Sequence, residues 1–132
     1  MTFKMNTENF EDLLSANLRW FDIVLYNLIS DTRETYGVYD ENINILDKET
    51  KTVNHMKDVF ACNLNDSQLA NLLCVKGNPQ TRNKEISRSI SRLEKAGFVE
   101  RTYVAISNEK QRNCRMLVVP DEKTRMLKNL WE

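Results

Sequence analysis

The sequence predicts one α+β domain, mainly helical, and three observations carry that reading. Apolar residues recur at helical spacing over two long stretches, about 9–33 and 81–96. Two β-like runs, 99–106 and 114–119, follow the second stretch with a polar loop between them. The chain is 132 residues long with 41% hydrophobic and 29% charged residues, which is enough for one modest core and leaves no room for a second independent one. The single domain, 1–132, is expected to hold a long helix at about 9–33, an inserted hairpin or loop at 38–60, a helix-turn-helix at 66–96, a hairpin at 99–119 and a C-terminal helix at 121–131.

The first helix rests on Leu14, Leu18, Phe21, Leu25 and Leu28, spaced alternately by four and three, with Leu13, Trp20 and Val24 widening the stripe. So broad a face calls for more than one packing neighbour, or for a self-association surface built partly from Trp20 and Val24. Tyr36-Gly37 marks its predicted end. Beyond it, the runs 43–46 and 52–56 flank the turn-like Asp47-Lys48-Glu49-Thr50, so a β-hairpin or an ordered loop is expected. Asp40, Glu41, Asp47 and Glu49 make this segment acidic and keep it away from phosphates. His55 is the only histidine and has no neighbour in sequence that would orient it for chemistry.

Asn65 or Asp66 caps a short helix at 67–73, with Leu69, Leu72 and Leu73 inward and Ala70 allowing close packing. Cys74-Val75-Lys76-Gly77-Asn78-Pro79-Gln80 then reads as a turn or short loop. In the next helix Ile86, Ile90 and Leu93 follow i, i+4, i+7. The opposite face carries Lys84, Arg88, Ser91 and Lys95, with Ser87 and Arg92 on its flanks. Gly97 suits the left-handed residue that ends a helix. At the C-terminus Pro120 and Asp121 introduce a helix whose apolar patch, Met126, Leu127, Leu130 and Trp131, must dock on the first helix or on a second copy.

The net charge is zero, but it is not evenly spread. Residues 1–75 hold 6 Lys/Arg against 12 Asp/Glu, a net −6, whereas residues 76–115 hold 10 against 4, a net +6. Such polarity is expected when one surface meets an anionic partner and another does not. Cys62, Cys74 and Cys114 are odd in number and form no Cys-x-x-Cys pair, so neither a disulfide framework nor a metal site is expected. No run of about 18 apolar residues offers a membrane span, and the N-terminus lacks the basic-then-apolar order of a signal peptide. A cytoplasmic protein is expected. The chain shows no Gly-rich phosphate loop, paired carboxylates, His/Cys/Asp cluster or nucleophile motif, so no catalytic residue and no cofactor is assigned and an enzyme is not expected.

A helix with an apolar back and an Arg/Ser/Lys front, braced by a preceding helix, suits the major groove of double-stranded DNA. Lys84, Ser87, Arg88, Ser91 and Arg92 are the expected base contacts, Arg88 being best suited to bidentate contact with guanine. Lys76, Arg82, Lys95, Arg101, Lys110, Arg112 and Arg115 are expected to serve phosphates, Lys110 and Arg112 from the loop of the hairpin. One module of this size buries limited surface, so a homodimer through the N-terminal or C-terminal helix, or both, is expected to read paired half-sites.

Leu69-Ala70-Asn71-Leu72-Leu73-Cys74-Val75, followed by Ile86-Ser87-Arg88-Ser89-Ile90-Ser91-Arg92-Leu93-Glu94-Lys95-Ala96-Gly97-Phe98-Val99-Glu100-Arg101, resembles the winged helix-turn-helix DNA-binding superfamily. The likeness spans about residues 66–119 and implies that the hairpin is a wing. It also implies a transcription regulator or a replication-associated factor of a bacterial mobile element or phage. The stretch from Leu14 to Ile29, running into Arg33-Glu34-Thr35-Tyr36-Gly37, is similar to the opening helix of plasmid and phage replication initiators. Two departures stand out: the segment Lys76 to Arg82 exceeds the usual turn, so either the second helix begins early or the loop contacts DNA, and the acidic insertion lengthens the approach to the motif. The alternative function is a protein-interaction module on the same scaffold, without DNA binding.

Overall fold

A computed structural model describes residues 10–105 and 114–121 of the chain. The elements run α1 (Phe10–Ser15), α2 (Trp20–Asp31), β1 (Glu34–Tyr39), β2 (Ile45–Asp47), β3 (Thr52–Asn54), β4 (Met56–Ala61), α3 (Asp66–Leu72), α4 (Pro79–Lys95), β5 (Glu100–Val104) and β6 (Cys114–Val118). This corrects the mainly helical expectation. Among the described residues helix takes about 40% and strand 29%, in four helices and three small antiparallel sheets. The expected C-terminal helix at 121–131 and the loop 107–113 fall on or run into residues outside those described.

The expected long helix 9–33 is two helices. Asn17 sits in the left-handed region at φ 59°, breaking the chain after α1. The Asp22 carboxylate then accepts the Arg19 N–H at 3.0 Å and caps the restart. The break rotates the stripe: Leu13 is fully buried, whereas Leu14 and Trp20, expected inward, are 51% and 61% exposed. In α2, Ile23, Leu25, Tyr26, Leu28 and Ile29 are buried. The helix ends at Thr32, whose N–H donates to the Leu28 carbonyl, not at Gly37, which lies within β1.

Residues 34–61 form a longer ribbon than the acidic hairpin expected there. β1 pairs with β4 from Glu34↔Ala61 to Tyr39↔Met56, and β2 with β3 from Ile45↔Asn54 to Asp47↔Thr52. The tip closes when Lys51 N–H donates to the Asp47 carbonyl, with Lys51 at φ 57°. His55 Nδ1 lies 2.7 Å from the Ile43 carbonyl, where the ribbon steps from one pair to the next. That gives the histidine a structural tie.

Asn65, not Asp66, is the N-cap of α3, accepting the Gln68 N–H while the Gln68 side chain accepts the Asn65 N–H. The second helix begins early: Asn78 caps it and Pro79 occupies its first turn, where the missing N–H costs nothing. Pro79 and Gln80, expected in the turn, are therefore helical. At the other end Phe98 N–H reaches the Leu93 carbonyl and Gly97 N–H the Glu94 carbonyl, with Gly97 at φ 87°. This is a Schellman closure, and it sends the chain directly into β5.

The main core gathers Leu13, the buried face of α2, Leu69 and Ala70 of α3, Ile86, Ile90 and Leu93 of α4, and Leu117. Full burial of each aliphatic side chain contributes about 1.5–3 kcal/mol before entropy is counted. A smaller cluster joins the two ribbons: Tyr36, Val38, Val59 and Ala61 meet Val104, Cys114, Met116 and Val118. Because strand side chains alternate, the other face of β5–β6 carries Arg101, Tyr103, Arg115 and Leu117. Hence β5–β6 lies between the helices and the β1–β4 ribbon. It is tied to the ribbon by the reciprocal Cys62–Leu117 backbone pair at 3.0 and 2.9 Å, and by Tyr39 N–H to the Ala105 carbonyl at 2.7 Å.

Candidate nucleic-acid interface

The α4 helix presents two chemically distinct faces. Ile86, Ser89, Ile90 and Leu93 are fully buried against α2 and α3, whereas Lys84, Arg88, Ser91 and Lys95 are exposed. Lys84, Arg88 and Lys95 make no ion pair among the described residues. Ser91 donates to the Ser87 carbonyl at 3.0 Å, so its hydroxyl is partly committed to the helix itself.

Arg92 is placed differently from the exposed lysines and Arg88. Its Nε and Nη2 donate to Asp22 at 2.9 and 2.8 Å, and Asp22 is fully buried. Ser89 donates to the same carboxylate at 2.5 Å. Burial pushes the Asp22 carboxyl up, but the hydrogen bonds from Arg92, Ser89 and the Arg19 N–H outweigh it and hold the group below its ordinary value. Asp22 in turn raises Arg92 further above its ordinary value. The pair locks the rotation of α4 about its own axis relative to α2, which fixes the direction in which Arg88 and Lys84 project.

Three expected phosphate ligands, Arg101, Arg115 and Arg82, are also held within the fold. Arg101 Nη2 donates to the Ser87 carbonyl at 3.0 Å and to Ser91 Oγ at 3.1 Å, while its Nη1 lies 3.8 Å from Glu94. Arg115 donates to Asp66 at 2.5 Å and to the Leu64 carbonyl at 2.7 Å. Arg101 therefore pins β5 to α4 and Arg115 pins β6 to the start of α3. Ser87 is half-buried beneath Arg101, and its carbonyl is the part engaged. Arg82 is half-buried and donates to Asn71, bracing α4 against α3, while its Nε is buried without a partner among the described residues. Lys76 is exposed in the turn between α3 and α4. Lys110 and Arg112 lie outside the described residues.

Sequence reasoning missed two contributors. Arg19, just ahead of α2, joins Phe21, Glu85, Arg88 and Arg92 around an open pocket of about 110 Å³. Asp22 organises that pocket from beneath. Its signal in the sequence was an acidic residue three positions after Arg19 and inside an otherwise apolar run. Among the described residues, no group of three or more His, Cys, Asp or Glu could hold a metal ion, and no helix is long and apolar enough to cross a membrane. No family model, curated protein or solved structure matches the chain.

Proposed function

We propose that this chain is a sequence-specific double-stranded DNA-binding protein that lays the exposed face of α4 in the major groove. The observation that carries the reading is the two-faced, 17-residue helix. Its apolar back is fixed on α2 and α3, and its front offers Lys84, Arg88, Ser91 and Lys95. Arg88 is the bidentate guanine reader, with Lys84 and Ser91 beside it. Lys76 and Lys95 contact phosphates from the turn and the last turn of the helix. Arg101 and Arg115 act as positioning residues, because their guanidinium groups are engaged within the fold, and Arg92 orients α4 through Asp22 while its Nη1 is left without an acceptor among the described residues.

The likeness of residues 66–119 to winged helix-turn-helix sequences supports the same reading and suggests a cytoplasmic regulator or replication-associated factor of a mobile element or phage. Two copies would read paired half-sites. Selection of bound fragments from a random duplex pool tests both points: a recovered consensus supports sequence-specific binding, and its symmetry reports the dimer. A pool that yields no enrichment, with no gel shift on any duplex at low salt, overturns the reading.

A second reading, a protein-interaction module, is favoured by one observation. Ile45, Leu46 and Val53, on the two strands of the β2–β3 hairpin, are each more than half exposed. Apolar side chains displayed in this way suit a protein contact.

A further inference from the structure

Arg19 and Phe21 stand at the start of α2, while Glu85, Arg88 and Arg92 follow i, i+3, i+7 on α4, and all five line an open pocket of about 110 Å³. The geometry points to a subsite for a phosphate group in this pocket. Guanidinium forks match phosphate oxygens in shape and charge, and three arginines line the pocket: Arg19 and Arg92 are the phosphate ligands, and Arg88, on the base-reading face, adds positive charge beside them.

The charges around the pocket favour an anion, with one opposing group. Asp22 lies behind Arg92 and takes up its Nε and Nη2, leaving Nη1 without an acceptor among the described residues. Arg92 is thereby presented in a fixed orientation, so little side-chain freedom is lost on binding. Arg19 and Arg88 are exposed and make no ion pair among the described residues. Glu85 is exposed on the rim, close enough to Arg92 to act on its ionisation. Its carboxylate repels an incoming phosphate and therefore limits affinity. A general cationic surface would show no such pairing of one strengthening and one weakening residue around a single pocket.

The phosphate could belong to a duplex backbone or to a free phosphate or phosphomonoester, and the test separates the two. Inorganic phosphate is titrated into the full chain by calorimetry at constant ionic strength in chloride, with the wild type, Arg19→Gln and Glu85→Gln. Both substitutions are at exposed side chains, and Arg19→Gln keeps the backbone N–H that caps α2; unchanged urea midpoints verify the fold. Saturable binding is expected, weakened roughly tenfold by Arg19→Gln and tightened roughly two- to fivefold by Glu85→Gln. Absence of saturable binding to the wild type, or equal affinity in Arg19→Gln, overturns the subsite.

A parallel duplex titration assigns the source. If Arg19→Gln lowers duplex affinity and reduces the salt slope by about one, the pocket takes a backbone phosphate. If duplex affinity is unchanged while phosphate affinity falls, the subsite stands and serves a free phosphate or phosphomonoester. A chain that takes phosphate in the pocket but shifts no duplex supports the subsite and removes the DNA-binding proposal.

Discussion

Asp22 and Arg92 meet in a bidentate ion pair across 70 residues of sequence, with Nη2–Oδ1 at 2.8 Å and Nε–Oδ2 at 2.9 Å. The carboxylate is fully buried and the guanidinium side chain 33% exposed, so the two partners are not equivalent. Arg92→Ala strands a buried charge and is expected to destabilise the fold by about 3–5 kcal/mol, measured by urea unfolding. Ser89→Ala removes one donor of several and costs about 1 kcal/mol in the same assay. Equal, small losses for both variants would show that the carboxylate is solvated.

The same pair gives acid sensitivity with a defined sign. The folded-state pKa of Asp22 is lowered, so its contribution is fully present above the ordinary carboxylate value of 3.8 and is lost as pH falls through the lower folded value. Urea midpoints of the wild type should therefore drop below about pH 4. Asp22→Asn should be less stable at neutral pH and should lose part of that drop. A wild type and an Asp22→Asn variant with parallel pH profiles would contradict the assignment.

Arg115 is expected to act on stability and not on DNA affinity. Its guanidinium side chain is 18% exposed and is committed to Asp66 and the Leu64 carbonyl. Arg115→Ala should lower stability by about 1–3 kcal/mol, while the salt slope of duplex binding at a temperature where the variant is folded stays at the wild-type value. A slope reduced by about one would return Arg115 to the phosphate contacts.

How much of this was legible in the sequence depended on whether a feature is local. Caps were legible where they act within a few residues: Gly97 closes α4, and Asn65, one of two candidates, opens α3, whereas Asn78-Pro79 reads as a turn and in fact opens α4. The burial of Ile86, Ile90 and Leu93 followed from spacing alone. The break at Asn17 was harder, because Leu14, Leu18 and Phe21 keep a helical spacing across it and a left-handed Asn leaves little trace in periodicity. β1 was obscured because Glu34-Thr35-Tyr36-Gly37-Val38-Tyr39 follows a helix and pairs with residues 56–61, a non-local choice. Arg92, Arg101 and Arg115 looked like surface cations for the same reason: charge type is written in the sequence, but the partner is chosen by the tertiary fold.

Gly97 tests the junction between α4 and β5. At φ 87° an alanine enters a conformation that its Cβ disfavours, so Gly97→Ala should cost about 1–2 kcal/mol. Asn is better tolerated there, and Gly97→Asn should cost less. Urea unfolding of the two variants reports the order, and an Asn variant less stable than the Ala variant would contradict the Schellman closure.

The measurement closest to the central claim is the binding of wild type and Arg88→Ala to a selected duplex and to its scrambled counterpart across a salt series. The account predicts that Arg88→Ala weakens the selected duplex by about 1–3 kcal/mol and the scrambled one much less, while Lys95→Ala weakens both alike. Equal losses on the two duplexes for Arg88→Ala, or wild-type affinity that does not fall as salt rises, would contradict the placement of the outward face of α4 in the DNA groove.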